Sequence, residues 1–297
     1  MQETKKKKST AENYNEITIP ARDGIKLAAR HYPPVNSGAF RVPKVVVFST
    51  GIGIRKEKYH AFASYLARTG ARVIVFDYRG IGGSLSCKVK DTRASMTQWG
   101  SQDLAGVIDW VMHSFPKEDM FLLAHNSGQL VGLAPNCDSL RGMILVGCTH
   151  GYWGHWHPIL RSLLVPAIYA VFPLLTAVFR YFPSRHLGLG ENLPAGVARE
   201  LFNWTRKRDS LFALHPVAKD RLKKLSIPIL VYSFKDDIFA PKNGVRTLLD
   251  FMASPCKQWN HISPRDLRVR HIGHYGFFSS RVKNTLWDDT INWLKGC

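Results

Sequence analysis

Three separated stretches hold side chains that could cooperate in acyl transfer: the Asn126-Ser127 turn, Asp237 and His274. Acyl transfer by an activated hydroxyl needs a nucleophile on a sharp turn and an imidazole base. It also needs a carboxylate to orient that base and backbone N–H groups for the developing oxyanion. The turn lies in Met120–Gln129, MFLLAHNSGQ. Met120–Ala124 reads as a buried strand, His125-Asn126-Ser127-Gly128 as a polar turn, and Gln129–Leu133 as helical. Strand, turn and helix form the setting in which G-x-S-x-G presents a nucleophile. Here Ala124 and Gly128 take the small positions, and Asn126 stands where the serine belongs. An amide has no ionisable oxygen and forms no ordinary acyl-enzyme.

The carboxylate candidate is Asp237, just past an apolar strand and four residues ahead of Pro241; Asp236 is expected to point elsewhere. The base candidate is His274, in a loop whose flanking Gly273 and Gly276 permit a tight turn. His271 is its rival but reads as the end of a strand. The oxyanion donors are sought in the Gly51-Ile52 loop, at the Ile52 N–H, and at the Ser127 N–H.

These positions must be held by a scaffold, and the hydrophobic patterning supplies one. Strands are expected at Asn15–Pro20, Ile25–Tyr32, Lys44–Ser49, Arg72–Asp77, Met120–Ala124, Gly142–Gly147, Pro228–Ser233 and Leu267–His271. Helical spacing appears in Lys58–Arg68, Met96–His113, Gly244–Met252 and Val282–Leu294. Such alternation predicts an α/β fold with a mostly parallel sheet of about eight strands and helices on both faces. It lapses between Cys148 and Ala218, where helical, aromatic and Pro-rich sequence intervenes. We therefore expect a core of residues 13–148 and 219–297, with 149–218 inserted as a helical cap over the carboxyl ends of the strands. Open α/β sheets place their sites there.

The chain has 297 residues, 45% hydrophobic and 21% charged, with a formal net charge of +19. That charge predicts attraction to anionic surfaces and says nothing of fold. Part of it sits in Lys5–Lys8, within residues 1–12, which read as a disordered basic leader without the apolar run of a signal peptide. The five cysteines show no C-x-x-C spacing, which points to a reducing cytoplasm rather than a disulfide framework or zinc site. The glycines of Tyr78–Ser84 fit neither a dinucleotide-binding nor a P-loop spacing. Apart from Cys148, no carboxylate or cysteine joins His150, His155 and His157 at ligand spacing, so no metal and no cofactor is expected. No nucleic-acid-binding motif is visible, and nucleic acid is not an expected partner.

Ser162–Phe179 is uncharged and apolar but interrupted by Pro166 and Pro173, which suggests a kinked pair of lid helices rather than a membrane span. Aromatic residues crowd the insertion, and Arg161, Arg180, Arg185, Arg199, Arg206, Lys207 and Arg208 border it. An apolar lining with a basic rim suits an anionic amphiphile or a membrane surface, so a small apolar substrate and peripheral contact with an anionic membrane are expected.

Six segments together resemble the bacterial "predicted α/β hydrolase" family, related to serine aminopeptidase-like and lysophospholipase-like esterases. They are Phe76-Asp-Tyr-Arg-Gly-Ile-Gly82, Trp99-Gly-Ser-Gln-Asp-Leu104, Gly128-Gln-Leu-Val-Gly-Leu133, Gly151-Tyr-Trp153, Gly188-Leu-Gly-Glu-Asn-Leu-Pro194 and Gly273-His-Tyr-Gly-Phe-Phe278. The resemblance covers nearly the whole chain after the leader. It implies an α/β-hydrolase fold and a Ser–His–Asp hydrolase of ester- or thioester-type bonds, with a helical cap and no cofactor. The family's turn resembles Gly-His-Ser-x-Gly-Gly-Gln, whereas this chain has Ala124-His-Asn-Ser-Gly-Gln129, one residue short. Three readings stay open: Ser127 replaces the lost nucleophile; the His274–Asp237 dyad acts as a general base on water or on an acidic substrate C–H, with Asn126 orienting the substrate; or the chain is a catalytically inactive binder of an apolar ligand.

Overall fold

The computed structural model describes residues 13–36 and 38–297, so the basic leader lies outside the described residues. Among the described residues ten strands form in chain order. They are β1 Asn15–Pro20, β2 Lys26–Tyr32, β3 Lys44–Ser49, β4 Arg72–Phe76, β5 Asp119–His125, β6 Gly142–Val146, β7 Tyr181–Phe182, β8 Leu193–Pro194, β9 Ile229–Phe234 and β10 Lys257–Ile262. Eight of them make one sheet in the order β1-β2-β4-β3-β5-β6-β9-β10, and β7 pairs only with β8. The β1–β2 and β2–β4 pairs are antiparallel; the remaining pairs of the main sheet are parallel.

The central strands are continuous apolar runs because both faces are covered. Every residue of β3, β6 and β9 is buried. Two apolar layers result. One contains Val45, Leu122 and Leu145 with Trp99 and Ile108; the other contains Phe48, Leu123 and Tyr232 with Phe62 and Trp287. Alternate residues of one strand feed opposite layers, as the two-residue period of a strand requires.

Two expectations are corrected. No strand forms at Leu267–His271: the last strand is β10, paired with β9, while Arg268 sits in the left-handed region at φ 53°. An edge strand has a single neighbour and needs no apolar run; Lys257-Gln-Trp-Asn-His-Ile262 is polar and partly exposed, so hydrophobicity does not announce it. The apolar Ser162–Phe179 stretch lies in one continuous 22-residue helix, Pro158–Phe179, rather than in two separate helices. A π-helical turn at Ala167–Val171 directly after Pro166 accommodates that proline. Pro173 falls in the first turn of the segment that follows. The stretch after the turn, Gly128–Leu133, winds as a 3-10 helix.

Candidate active site

The turn is built on the end of β5. Asn126 takes φ 68°, a left-handed conformation costing about 1–2 kcal/mol for a residue with a side chain, which Asn bears better than most. Its backbone is fixed on both sides: its N–H donates to the Val146 carbonyl at 3.1 Å, and its carbonyl accepts from Thr149 N–H at 3.2 Å. The Ser127 N–H folds back to the His125 carbonyl at 2.8 Å, closing a three-residue γ-turn. Asn126 therefore occupies the apex, and Ser127 follows it.

The imidazole arrives from the loop after β10. Asp237 Oδ2 lies 2.8 Å from His274 Nδ1. The other oxygen of Asp237 accepts the Phe239 and Ala240 N–H groups at 2.9 and 3.1 Å. A carboxylate accepts only, so His274 Nδ1 carries the hydrogen, which in the neutral ring leaves Nε2 as the acceptor. Asn126 Nδ2 donates to that Nε2 at 2.9 Å, and Ser127 Oγ donates to Asn126 Oδ1 at 2.9 Å. Ser127 thus reaches the imidazole through the asparagine amide. Asp236 points elsewhere: its Oδ2 accepts from the Ile272 and Gly273 N–H groups at 2.8 and 3.0 Å and pairs with His271 at 2.7 Å. It shapes the loop that carries His274.

A second network lies beneath the first, and the sequence reading missed it. Buried His125 places Nε2 3.1 Å from the His274 carbonyl, to which it donates, and Nδ1 2.8 Å from Tyr59 Oη. The Tyr59 hydroxyl accepts from the Gly51 N–H at 2.7 Å. Burial, followed by the neighbouring His274, holds the His125 imidazole well below its ordinary pKa, so it stays neutral. His125 therefore anchors the main chain of His274 to the strand that carries the turn. His directly before the apex was the available signal; Tyr59 gave none beyond an aromatic at helical spacing.

Two glycines permit these approaches. A Cβ at Gly51 would meet His125 Nδ1 at 2.8 Å, and one at Gly147, with φ 55°, would meet Asp237 and His274 at 3.2 Å. Gly51 gives its own N–H to Tyr59, and the Ser127 N–H is committed to His125, unlike the free oxyanion donor the sequence suggests. Among the described residues the Ile52 N–H has no protein acceptor, and Ile52 lines the adjoining cavity.

That cavity holds about 350 Å³ and meets Asn126, Ser127 and His274 at one end. Its walls are apolar. Leu160, Leu164, Ile168 and Phe172 come from the long helix at four-residue spacing, the period of one helix face. Cys148, buried beside Gly128, is no thiolate candidate, because burial pushes its thiol up to about 12. No group of three or more His, Cys, Asp or Glu suited to a metal ion occurs among the described residues.

An eight-stranded, mostly parallel sheet with flanking helices, and the Asn126 turn, Asp237 and His274 at its carboxyl ends in that chain order, places the chain in the α/β-hydrolase superfamily. The chain belongs within it to the family described as serine aminopeptidase, S33, whose profile matches residues 41–200. A comparison with curated proteins by sequence found no match.

Solved structures share the fold. A soluble variant of monoglyceride lipase from Saccharomyces cerevisiae, in complex with a substrate analog, superposes with a TM-score of 0.70 at 15% identity, covering 97% of this chain and 96% of that one. A highly thermostable carboxyl esterase from Bacillus coagulans, in complex with glycerol, gives 0.64 at 15% identity over 95% and 98%. The monoacylglycerol lipase of Paleococcus ferrophilus gives 0.55 at 16% over 91% and 98%.

Proposed function

We propose that the protein hydrolyses ester- or thioester-type bonds in small apolar, lipid-like substrates through its His274–Asp237 dyad. The observation that carries this reading is the 2.8 Å His274–Asp237 hydrogen bond at the end of an apolar cavity. His274 Nε2 takes a proton from water, and the water oxygen attacks the substrate carbonyl. Asp237 stabilises the imidazolium, and the Ile52 N–H faces the oxyanion. Asn126 moves its amide from the imidazole to the substrate and orients it. The same proton then passes from His274 to the leaving group. The fold of the lipase and esterase structures is compatible with this reading.

One observation favours a second reading, a non-hydrolytic protein that binds an apolar ligand: the Asn126 amide occupies the lone pair that a base must use. A fluorogenic ester assay on wild type, Ser127→Ala and His274→Ala separates the readings. Turnover that survives Ser127→Ala and vanishes in His274→Ala is the expected result. Loss in both variants assigns the nucleophile to Ser127, and no turnover in any assigns the chain to ligand binding.

In this reading residues 149–218 act as a cap over the cavity carried by the remaining core. The outer face of the Pro158–Phe179 helix is also apolar: Ile159, Leu163 and Val178 are each 68% exposed and Leu174 is 64%. Exposed Arg180, Arg185, Arg199, Lys207 and Arg208 lie in the same insertion. This composition suits peripheral docking on an anionic membrane, with acyl substrate entering beneath the helix. All five cysteines are free, in keeping with a cytoplasmic protein.

A further inference from the structure

The asparagine at the apex is itself an acyl compound, and it is held as a substrate would be. Its amide nitrogen touches the imidazole at 2.9 Å, and its amide oxygen accepts the Ser127 hydroxyl at 2.9 Å. Asp237 orients that imidazole at 2.8 Å. The backbone is pinned by Val146 and Thr149, which fixes the position from which the side chain reaches the imidazole. Asn126, Ser127 and His274 all border the cavity, which gives water access to the amide carbon.

We propose that Asn126 is a self-processing site: the His274–Asp237 dyad hydrolyses its side-chain amide to a carboxylate, and the elbow acquires an aspartate. His274 Nε2 takes a proton from water as the oxygen bonds to Asn126 Cγ. The Ser127 hydroxyl donates to the resulting oxyanion. The Cγ–Nδ2 bond breaks, and Nε2 returns its proton to the departing nitrogen, 2.9 Å away in the resting geometry. Ammonia leaves, and the new acid gives up its proton, so asparagine and water become aspartate and ammonium. No oxidant, metal or co-reactant enters.

Two features set the character of the reaction. The resting amide–imidazole bond must open before water is activated, so conversion is a slow single event rather than a turnover. The Ser127 N–H is committed to the His125 carbonyl at 2.8 Å, which opposes the competing attack of that backbone nitrogen on the same carbon. The product is therefore ordinary aspartate, without the isoaspartate that a cyclic imide yields. A carboxylate facing the imidazole is an oxygen nucleophile of the kind covalent catalysis employs, so conversion supplies what the sequence lacks. The inference stands apart from ester hydrolysis, because the conversion is read in the chain itself.

The test is peptide mass spectrometry of the purified full chain incubated at neutral pH in heavy-oxygen water and sampled over days. The expected result is a conversion at Asn126 that outpaces every other asparagine, carries the label, and yields normal aspartate. It should slow about a hundredfold or more in His274→Ala, and by a smaller factor in Ser127→Ala. Melting curves confirm that both variants fold, and Asn126→Asp supplies the reference product. Protein isolated already converted, beside a His274→Ala variant that keeps its amide, supports the inference equally. An unconverted wild type, equal rates with and without His274, or isoaspartate at Asn126 overturns it.

Discussion

The side chain of Asn126 donates from Nδ2 to Nε2 of His274 at 2.9 Å, while its own backbone holds φ 68° at the end of β5. In the proposed reading this apex is the nucleophile position, with an amide where a hydroxyl would receive the imidazole. Asn126→Ser places a hydroxyl beside Nε2 with Asp237 already behind it. Ester turnover should rise by about a hundredfold or more over freshly prepared wild type. Asn126→Ala also frees the imidazole but adds no oxygen, and it should show no such rise. Equal rates in both variants would mean that this imidazole does not serve the apex.

The network under the site makes a separate prediction. Tyr59→Phe removes one hydroxyl and leaves two buried groups without a partner, the Gly51 N–H and His125 Nδ1. Each orphaned group costs about 1–3 kcal/mol. Urea unfolding should show a loss in that range or above it. Turnover should fall as well, since His125 Nε2 holds the His274 carbonyl at 3.1 Å. A variant destabilised with full turnover would separate the anchor from the chemistry.

Much of this was readable from residue types. The buried β3, β6 and β9 are unbroken apolar runs, and Asp237 and His274 stand in turn-forming contexts, where the structure brings them together. The strand β10 was not legible, because an edge strand with one neighbour can be as polar as Lys257–Ile262. The role of His125 was hidden for another reason: it depends on Tyr59, 66 residues away, whose hydroxyl reaches it only once α/β packing has formed. The choice between Asn126 and Ser127 at the apex rests on a backbone angle, which composition and spacing do not encode. The length of the Pro158–Phe179 helix was obscured by Pro166, whose lost hydrogen bond a π-turn absorbs.

The outer face of the Pro158–Phe179 helix gives a membrane prediction. Leu163→Asp and Val178→Asp each place a charge on a side chain 68% exposed, away from the cavity-lining Leu164 and Ile168. Sedimentation with vesicles of mixed neutral and anionic lipid should carry down the wild type and release it with added salt. The paired variant should remain in the supernatant, with hydrolysis of a short water-soluble ester unchanged. Equal partitioning of wild type and variant, or no preference for anionic lipid, would remove the membrane from the functional reading.

His150 gives a pH dependence whose sign is fixed by its surroundings. Its ring is buried, stacks on Phe251 at 5.3 Å and 17°, and neither ring nitrogen finds a hydrogen-bond partner among the described residues. Burial, helped by His155, pushes the imidazole down to about 4; Asp209 opposes that shift and Lys219 adds to it. The unfolded chain takes up this proton near the ordinary value of about 6.5. Between the two values the unfolded state binds more protons, so stability falls as pH drops from about 6.5 to about 4. His150→Phe keeps the stacked ring and removes the titration. Its stability at neutral pH should match or exceed wild type, because no hydrogen bond is lost and two unpaired polar atoms leave the interior. Its acid limb should be shallower by about one proton in urea unfolding followed against pH. An unchanged slope would place the acid sensitivity elsewhere, with His125, held low by burial in the anchor under the site, as the next residue to test.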